Sequence, residues 1–269
     1  MRLFTVLVLL AVGFANAAMA EATPLKRLET RDDSRGWNAV GRLNMGEHGL
    51  CTGALISPKL VLTAAHCLFD QQTGLRIAAK DIAFLAGWRN GRAAAYRGVR
   101  RTMPHPAYDF KAGEKIDRLP YDLALIELDQ PIRMASITPY QTDEMPLVGD
   151  EVGIVSYAQD REDAPSLEEV CTVLAQQAGV VVMSCDVDFG ASGSPVFSVR
   201  DGVARVVSVV SAKTEVAGRK VSLGTSLGDP LVELLALMEG PIPEATRVRP
   251  EVRTVTGSGS GAKFVTPAP

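Results

Sequence analysis

The sequence predicts an all-β chain of two β-rich halves that meet near Tyr140, followed by one short helix toward the C-terminal end. Three observations predict it. Short apolar stretches at 53–56, 60–64, 82–85 and 123–128 alternate with Gly, Pro, Asn and Asp, the rhythm of short antiparallel strands. After a connection at 131–146 that begins and ends in proline, a second set follows at 151–157, 169–174, 180–184, 195–199 and 203–211. Helical periodicity is convincing once, where Asp229 caps and Pro230 opens a helix carrying Leu231, Leu234, Leu235 and Leu237 and stopping at Gly240.

At the start of the chain, Met1 and Arg2 precede an almost wholly apolar run at 3–14, and Ala18, Met19 and Ala20 form a small-x-small pattern. Residues 1–20 therefore read as a secretory signal peptide, cut after Ala20 or, as the alternative, after Ala17. The run is shorter than the ~20 residues of a membrane span, and Glu21 rather than a cysteine follows the cut, so no membrane or lipid anchor is expected once the signal is removed. Residues 21–35, with Lys26, Arg27, Arg31, Asp32, Asp33 and Arg35, read as a polar N-terminal arm or propeptide. The first β-rich half is then 36–140 and the second, with its helix, 141–240. Residues 241–269, where glycine alternates with serine from Gly257 to Gly261, read as a disordered tail.

Composition narrows the function. A net charge of −3 argues against a polyanion binder, and the basic cluster Arg97, Arg100 and Arg101 is interleaved with apolar residues, as on a solvated strand face. No recognition motif accompanies those charges, so nucleic-acid binding is not expected. Four cysteines in an exported chain read as two disulfides, for which three connectivities exist. Cys51 with Cys67 and Cys171 with Cys185 is favoured, because each pair closes a loop of about 15 residues, worth roughly 3 kcal/mol in the chain-entropy view. Neither pair has the C-x-x-C spacing of a zinc site and no calcium loop is recognisable, so neither a metal nor another cofactor is expected.

Chemistry concentrates in a few residues. The three histidines, His48, His66 and His105, all precede the turn at 190–195, whereas an α/β-hydrolase needs a histidine after a serine set in G-x-S-x-G. Ser194 stands where the last glycine of that motif would be, which excludes that fold. Asp122 leads straight into the apolar run at 123–126; a carboxylate in such a place needs a partner to stay charged, and a histidine is the partner that chemistry would want.

Residues 61–67, Val-Leu-Thr-Ala-Ala-His-Cys, resemble the histidine motif of the trypsin-like serine peptidases, the cysteine that ties to Cys51 included. Asp122-Leu123-Ala124-Leu125-Ile126 is similar to the aspartate motif of that family, residues 105–108 to the segment before it, and residues 190–195, Gly-Ala-Ser-Gly-Ser-Pro, to the serine motif. The three occur in the family's order at spacings of about 55 and 70 residues, and the resemblance covers roughly 40–239. It implies two six-stranded antiparallel β-barrels of the chymotrypsin-like kind, with the active site in the cleft between them. It also implies roles: Ser192 as nucleophile, His66 as general base, Asp122 as the acid that orients the histidine, and the N–H groups of Gly190 and Ser192 as an oxyanion hole. Gly193 would permit close packing behind the serine.

Two departures matter. Ala191 stands where animal digestive members carry an aspartate that pairs with a new amino terminus, so activation through that ion pair is not expected, although Arg35-Gly36 is a candidate processing site. The serine motif looks more like that of the bacterial glutamyl-endopeptidase-like branch. Asp186, six residues before Ser192, and Ser211 match the acidic floor and the wall of the trypsin-like primary pocket, which implies cleavage after Arg or Lys. Ala212 and Lys213 alter that wall, and Lys213 is placed to approach Asp186. His48 and His105 read as loop and structural residues, and Trp37 and Trp88 as core or strand-face residues. The sequence thus predicts a secreted or periplasmic serine endopeptidase acting on protein or peptide substrates as a monomer. The alternative is an inactive homologue that keeps the fold as a protein-binding module.

Overall fold

Residues 23–112, 115–216 and 218–240 are described by the structure, a computed structural model. The expected signal peptide and tail lie outside the described residues.

A two-residue strand, β1 (Lys26–Arg27), comes first. Six strands of the first half follow: β2 (Val40–Asn44), β3 (Leu50–Leu55), β4 (Leu60–Thr63), β5 (Ala83–Ala86), β6 (Ala95–Pro104) and β7 (Ala124–Leu128). One helical turn, α1 (Lys115–Arg118), precedes β7. The six strands close into a barrel in the order β2-β3-β4-β7-β6-β5. Closure is tight at the glycines: Gly41 pairs with Gly53, and a Cβ on Gly53 would lie 2.7 Å from Val61 Cγ1. The arginines of β6 do not stand free in solvent. Arg100 and Arg101 hold the otherwise buried Glu127 of β7 at 3.0 and 2.6 Å, which lets an acid sit in the barrel wall.

The second half begins with the short β8 (Gln141–Thr142), then β9 (Glu151–Ser156), β10 (Ser166–Gln177), β11 (Val180–Met183), β12 (Pro195–Arg200), β13 (Val203–Val216) and β14 (Arg219–Ser226). The order β9-β10-β11-β14-β13-β12 closes because β12 pairs back onto β9. Two six-stranded antiparallel barrels therefore form the molecule, as expected. The structure pairs Cys51 with Cys67 and Cys171 with Cys185.

The barrels share one apolar seam. Phe197 of β12 lies 5.0 Å from the Trp37 ring and 4.7 Å from Tyr140, and Tyr140 donates its hydroxyl to the Gly36 carbonyl at 2.8 Å. Trp88 of the first half donates to the Glu162 carbonyl, and Tyr157 of the second donates to the Trp88 carbonyl. Each half also receives an end segment from beyond the other. The helix α2 (Gly228–Glu239), which starts one residue before the expected cap, buries Leu231, Leu234 and Met238 against β6 and β7 of the first barrel. Leu237, read from the sequence as part of an apolar face, is instead exposed. β1 pairs with β10 of the second barrel, Lys26 opposite Leu167, and Leu28 beside it is only 1% exposed.

Candidate active site

His66 lies on the helical turn Ala65–Leu68 that follows β4, and the Cys51–Cys67 disulfide ties that turn back to β3. Asp122 caps the turn Leu119–Tyr121 just before β7, the strand that pairs with β4. Adjacent strands thus deliver both side chains to one end of the first barrel. The carboxylate is locked by two contacts from one residue: the His66 backbone N–H donates to Oδ1 at 2.8 Å, and His66 Nδ1 meets Oδ2 at 2.7 Å. Ser211 of β13 donates its hydroxyl to the same Oδ2. Burial by itself would push the Asp122 carboxyl up, but the His66 ring and the hydrogen bonds from His66 and Ser211 outweigh it and hold the group below the usual carboxylate range. Asp122 is therefore an anion at neutral pH, and the bond to Nδ1 leaves Nε2 as the nitrogen able to take a proton.

Ser192 lies on the loop before β12. Its loop is folded by Ala191 N–H onto Asp188 O, Ser194 N–H onto Ala191 O and Gly193 N–H onto Val210 O. Gly193 has φ of +78°, and a Cβ there would run into Thr63 Oγ1 and the Thr52 carbonyl, so the serine loop lies directly on the first barrel. No carbonyl among the described residues accepts the N–H of Gly190 or Ser192, and both residues line the cavity. Ser192, His66 and Asp122 line one cavity of about 780 Å³. Ser192 Oγ and His66 Nε2 are not hydrogen-bonded in this arrangement; Nε2 has Cys67 Sγ at 3.9 Å. Such contacts are often loose before substrate arrives.

Other sequence-derived candidates fall differently. Asp186 does not line this cavity: its side chain is exposed, and its backbone N–H is held at 2.8 Å by Glu168, a buried acid on β10. The residue expected to form an acidic floor is thus not among those that line the cavity. Lys213 does not approach Asp186 either, since its ammonium pairs with Asp188 at 2.5 Å. Ser211 does line the cavity, but its hydroxyl is spent on Asp122 rather than left for substrate. His48 lines the cavity rim and meets Asp70 at 2.6 Å, while His105 is buried and faces Glu233 of α2 at 3.3 Å.

Sequence reasoning missed Thr52. Its backbone N–H donates to the Ser192 carbonyl at 2.8 Å, and its hydroxyl donates to the Gly190 carbonyl at 3.1 Å and accepts Tyr157 N–H at 3.0 Å. One fully buried residue of the first barrel thus fixes the loop that the second barrel contributes. The only available signal was a polar residue inside an otherwise apolar stretch.

Known proteins resemble this chain in sequence and in fold. The family profile described as Trypsin matches residues 27–225. A glutamyl endopeptidase of Bacillus licheniformis is 31% identical over 150 residues, 55% of this chain and 45% of that protein. Human serine protease 56 is 30% identical over 154 residues, 56% of this chain and 23% of that protein. The chain thus spans less than half the length of these curated relatives. Among solved structures, a Glu endopeptidase in complex with MPD superposes with a TM-score of 0.66 at 18% identity, covering 80% of this chain and 96% of that one.

Proposed function

This chain belongs to the trypsin family of serine peptidases, and from that membership we propose that it is a serine endopeptidase working through an acyl-enzyme on Ser192. The observation that carries the reading is the two-point lock of Asp122 on His66, set in the same cavity as Ser192. Ser192 Oγ attacks the peptide carbonyl while His66 Nε2 takes its proton, and Asp122 stabilises the imidazolium that results. The N–H groups of Gly190 and Ser192 receive the charge that develops on the carbonyl oxygen; one such donor is typically worth about 3 kcal/mol. His66 returns the proton to the departing amine, leaving an ester on Ser192. A water then gives its proton to His66 and attacks the ester, which releases the carboxylate product and restores Ser192.

The Arg or Lys preference implied by the family resemblance needs a free acid on the cavity wall. Asp186 lies outside that wall, and Asp188, which lies on it, is already occupied by Lys213. Two disulfides suit an oxidising compartment, in line with a secreted or periplasmic enzyme. No helix among the described residues is long and apolar enough to cross a membrane.

The test is covalent labelling by a fluorophosphonate beside hydrolysis of a mixed peptide library. Labelling of the chain, lost in Ser192→Ala together with hydrolysis, is the expected result. Failure of the folded protein to label would favour the non-catalytic, protein-binding alternative.

A further inference from the structure

β13 passes Asp122 at Ser211 and reaches Lys213 two residues on, and both residues line the cavity. Pairing of β13 with β12 ends at Pro195 opposite Val209, whereas Ala212 and Lys213 pair with β14 alone. This stretch therefore makes one side of a slot beside Ser192, and the loop 187–190 makes the other. Lys213 spans the two sides. Its Nζ lies 2.5 Å from Asp188 Oδ1 and 4.3 Å from the centroid of the Phe189 ring.

The two ends of this clasp are not equivalent. Both side chains are about half exposed, 45% for Lys213 and 53% for Asp188, so the pair is screened and readily exchanged. If Lys213 let go, Asp188 would still accept the Phe189 N–H at 2.8 Å and still lie in the field of Arg161. Arg161 is partly buried and held in place by donating to the carbonyl and hydroxyl of Ser156, so its charge stays near Asp188 whether or not Lys213 does. Lys213 would be left with only the face of Phe189, an attraction that fixes its position without neutralising it. An incoming carboxylate would meet an ammonium whose present partner is otherwise provided for. An incoming ammonium would meet a carboxylate that already has cations around it.

We propose that Lys213 selects the substrate side chain that enters this slot, and that the side chain is acidic: a peptide with Glu or Asp on the acyl side of the scissile bond, whose carboxylate takes the place of Asp188 on Nζ. The inference rests on the peptidase reading above and names its substrate class.

Matched peptides differing only in Glu, Ala, Phe or Arg before the scissile bond test it. The wild-type protein is expected to prefer the Glu peptide, and Lys213→Ala is expected to lower the Glu-to-Ala ratio of kcat/KM by at least ~30-fold, the scale of a charge-assisted hydrogen bond. Lys213→Arg should retain most of the ratio, and Asp188→Asn should raise it, because the competitor for the ammonium is removed. An unchanged ratio in Lys213→Ala would overturn the inference. So would a wild-type preference for Arg that disappears in Asp188→Asn, and both results would leave the peptidase reading standing. Absence of cleavage of every peptide together with absence of fluorophosphonate labelling would overturn both.

Discussion

A single hydroxyl at Thr52 joins the Gly190 carbonyl and the Tyr157 N–H, and the backbone of the same residue holds Ser192. Thr52→Val keeps the shape and removes the hydroxyl, which leaves the buried Tyr157 N–H and the half-buried Gly190 carbonyl without that partner, a cost of about 1–3 kcal/mol. We expect a lower denaturation midpoint and, because the Gly190 donor is no longer held in place, at least a ~10-fold loss of kcat/KM. An unaltered midpoint would show that the hydroxyl is not a clamp. Glu168 sets a pH dependence. Burial, reinforced by the nearby Asp186 charge, outweighs the Asp186 N–H and the Arg161 charge and pushes its carboxyl up to about 7. The folded chain therefore keeps a proton that the unfolded chain has lost, so stability falls as pH rises from about 4.5 to about 7. Melts at pH 5 and pH 8 should differ by about 2–3 kcal/mol on this account, and Glu168→Gln should flatten the slope. A slope that survives the substitution would assign it to other groups.

Among the elements, α2 presents the sharpest test. Leu234 is fully buried on its inner face against the first barrel, so Leu234→Ala should cost about 2–5 kcal/mol in chemical denaturation. A loss below 1 kcal/mol would mean that the helix is not a structural part of that barrel. The helix itself was legible in the sequence because a cap, a proline and leucines at helical spacing agree. β4 and β7 were equally legible as apolar runs between turn residues. β6 and β14 were not. Arg97, Arg100 and Arg101 hide a strand in which Glu127 of β7 pairs Arg100 and Arg101 while Arg97 donates to backbone carbonyls, and β14 buries Ser222, Thr225 and Ser226 rather than an apolar run. The same limit governs the site. His66, Asp122 and Ser192 sit in contiguous motifs, whereas the fate of Asp186 depends on a hydrogen bond to Glu168, 18 residues away, that no spacing announces.

On the scale of the whole molecule, the exchange of end segments ties the halves together. The connection between the barrels is exposed from Arg133 to Ser136. A protease site introduced there should yield a nicked protein that elutes as one species on gel filtration and unfolds in one transition, because the seam of Trp37, Tyr140 and Phe197, together with β1 and α2, still joins the pieces. Separation of the fragments under native conditions would contradict that account. The docking of β1 also bears on Arg35-Gly36. Arg35 is 82% exposed and within reach of a trypsin-like enzyme. In an enzyme matured by trimming, the cut casts off a leader. Here the leader is already woven into the far barrel, so a cut at Arg35 would convert a covalent lace into a bound peptide, and losing that peptide would fray the edge of β10 while the new terminus at Gly36 found no carboxylate at Ala191 to receive it.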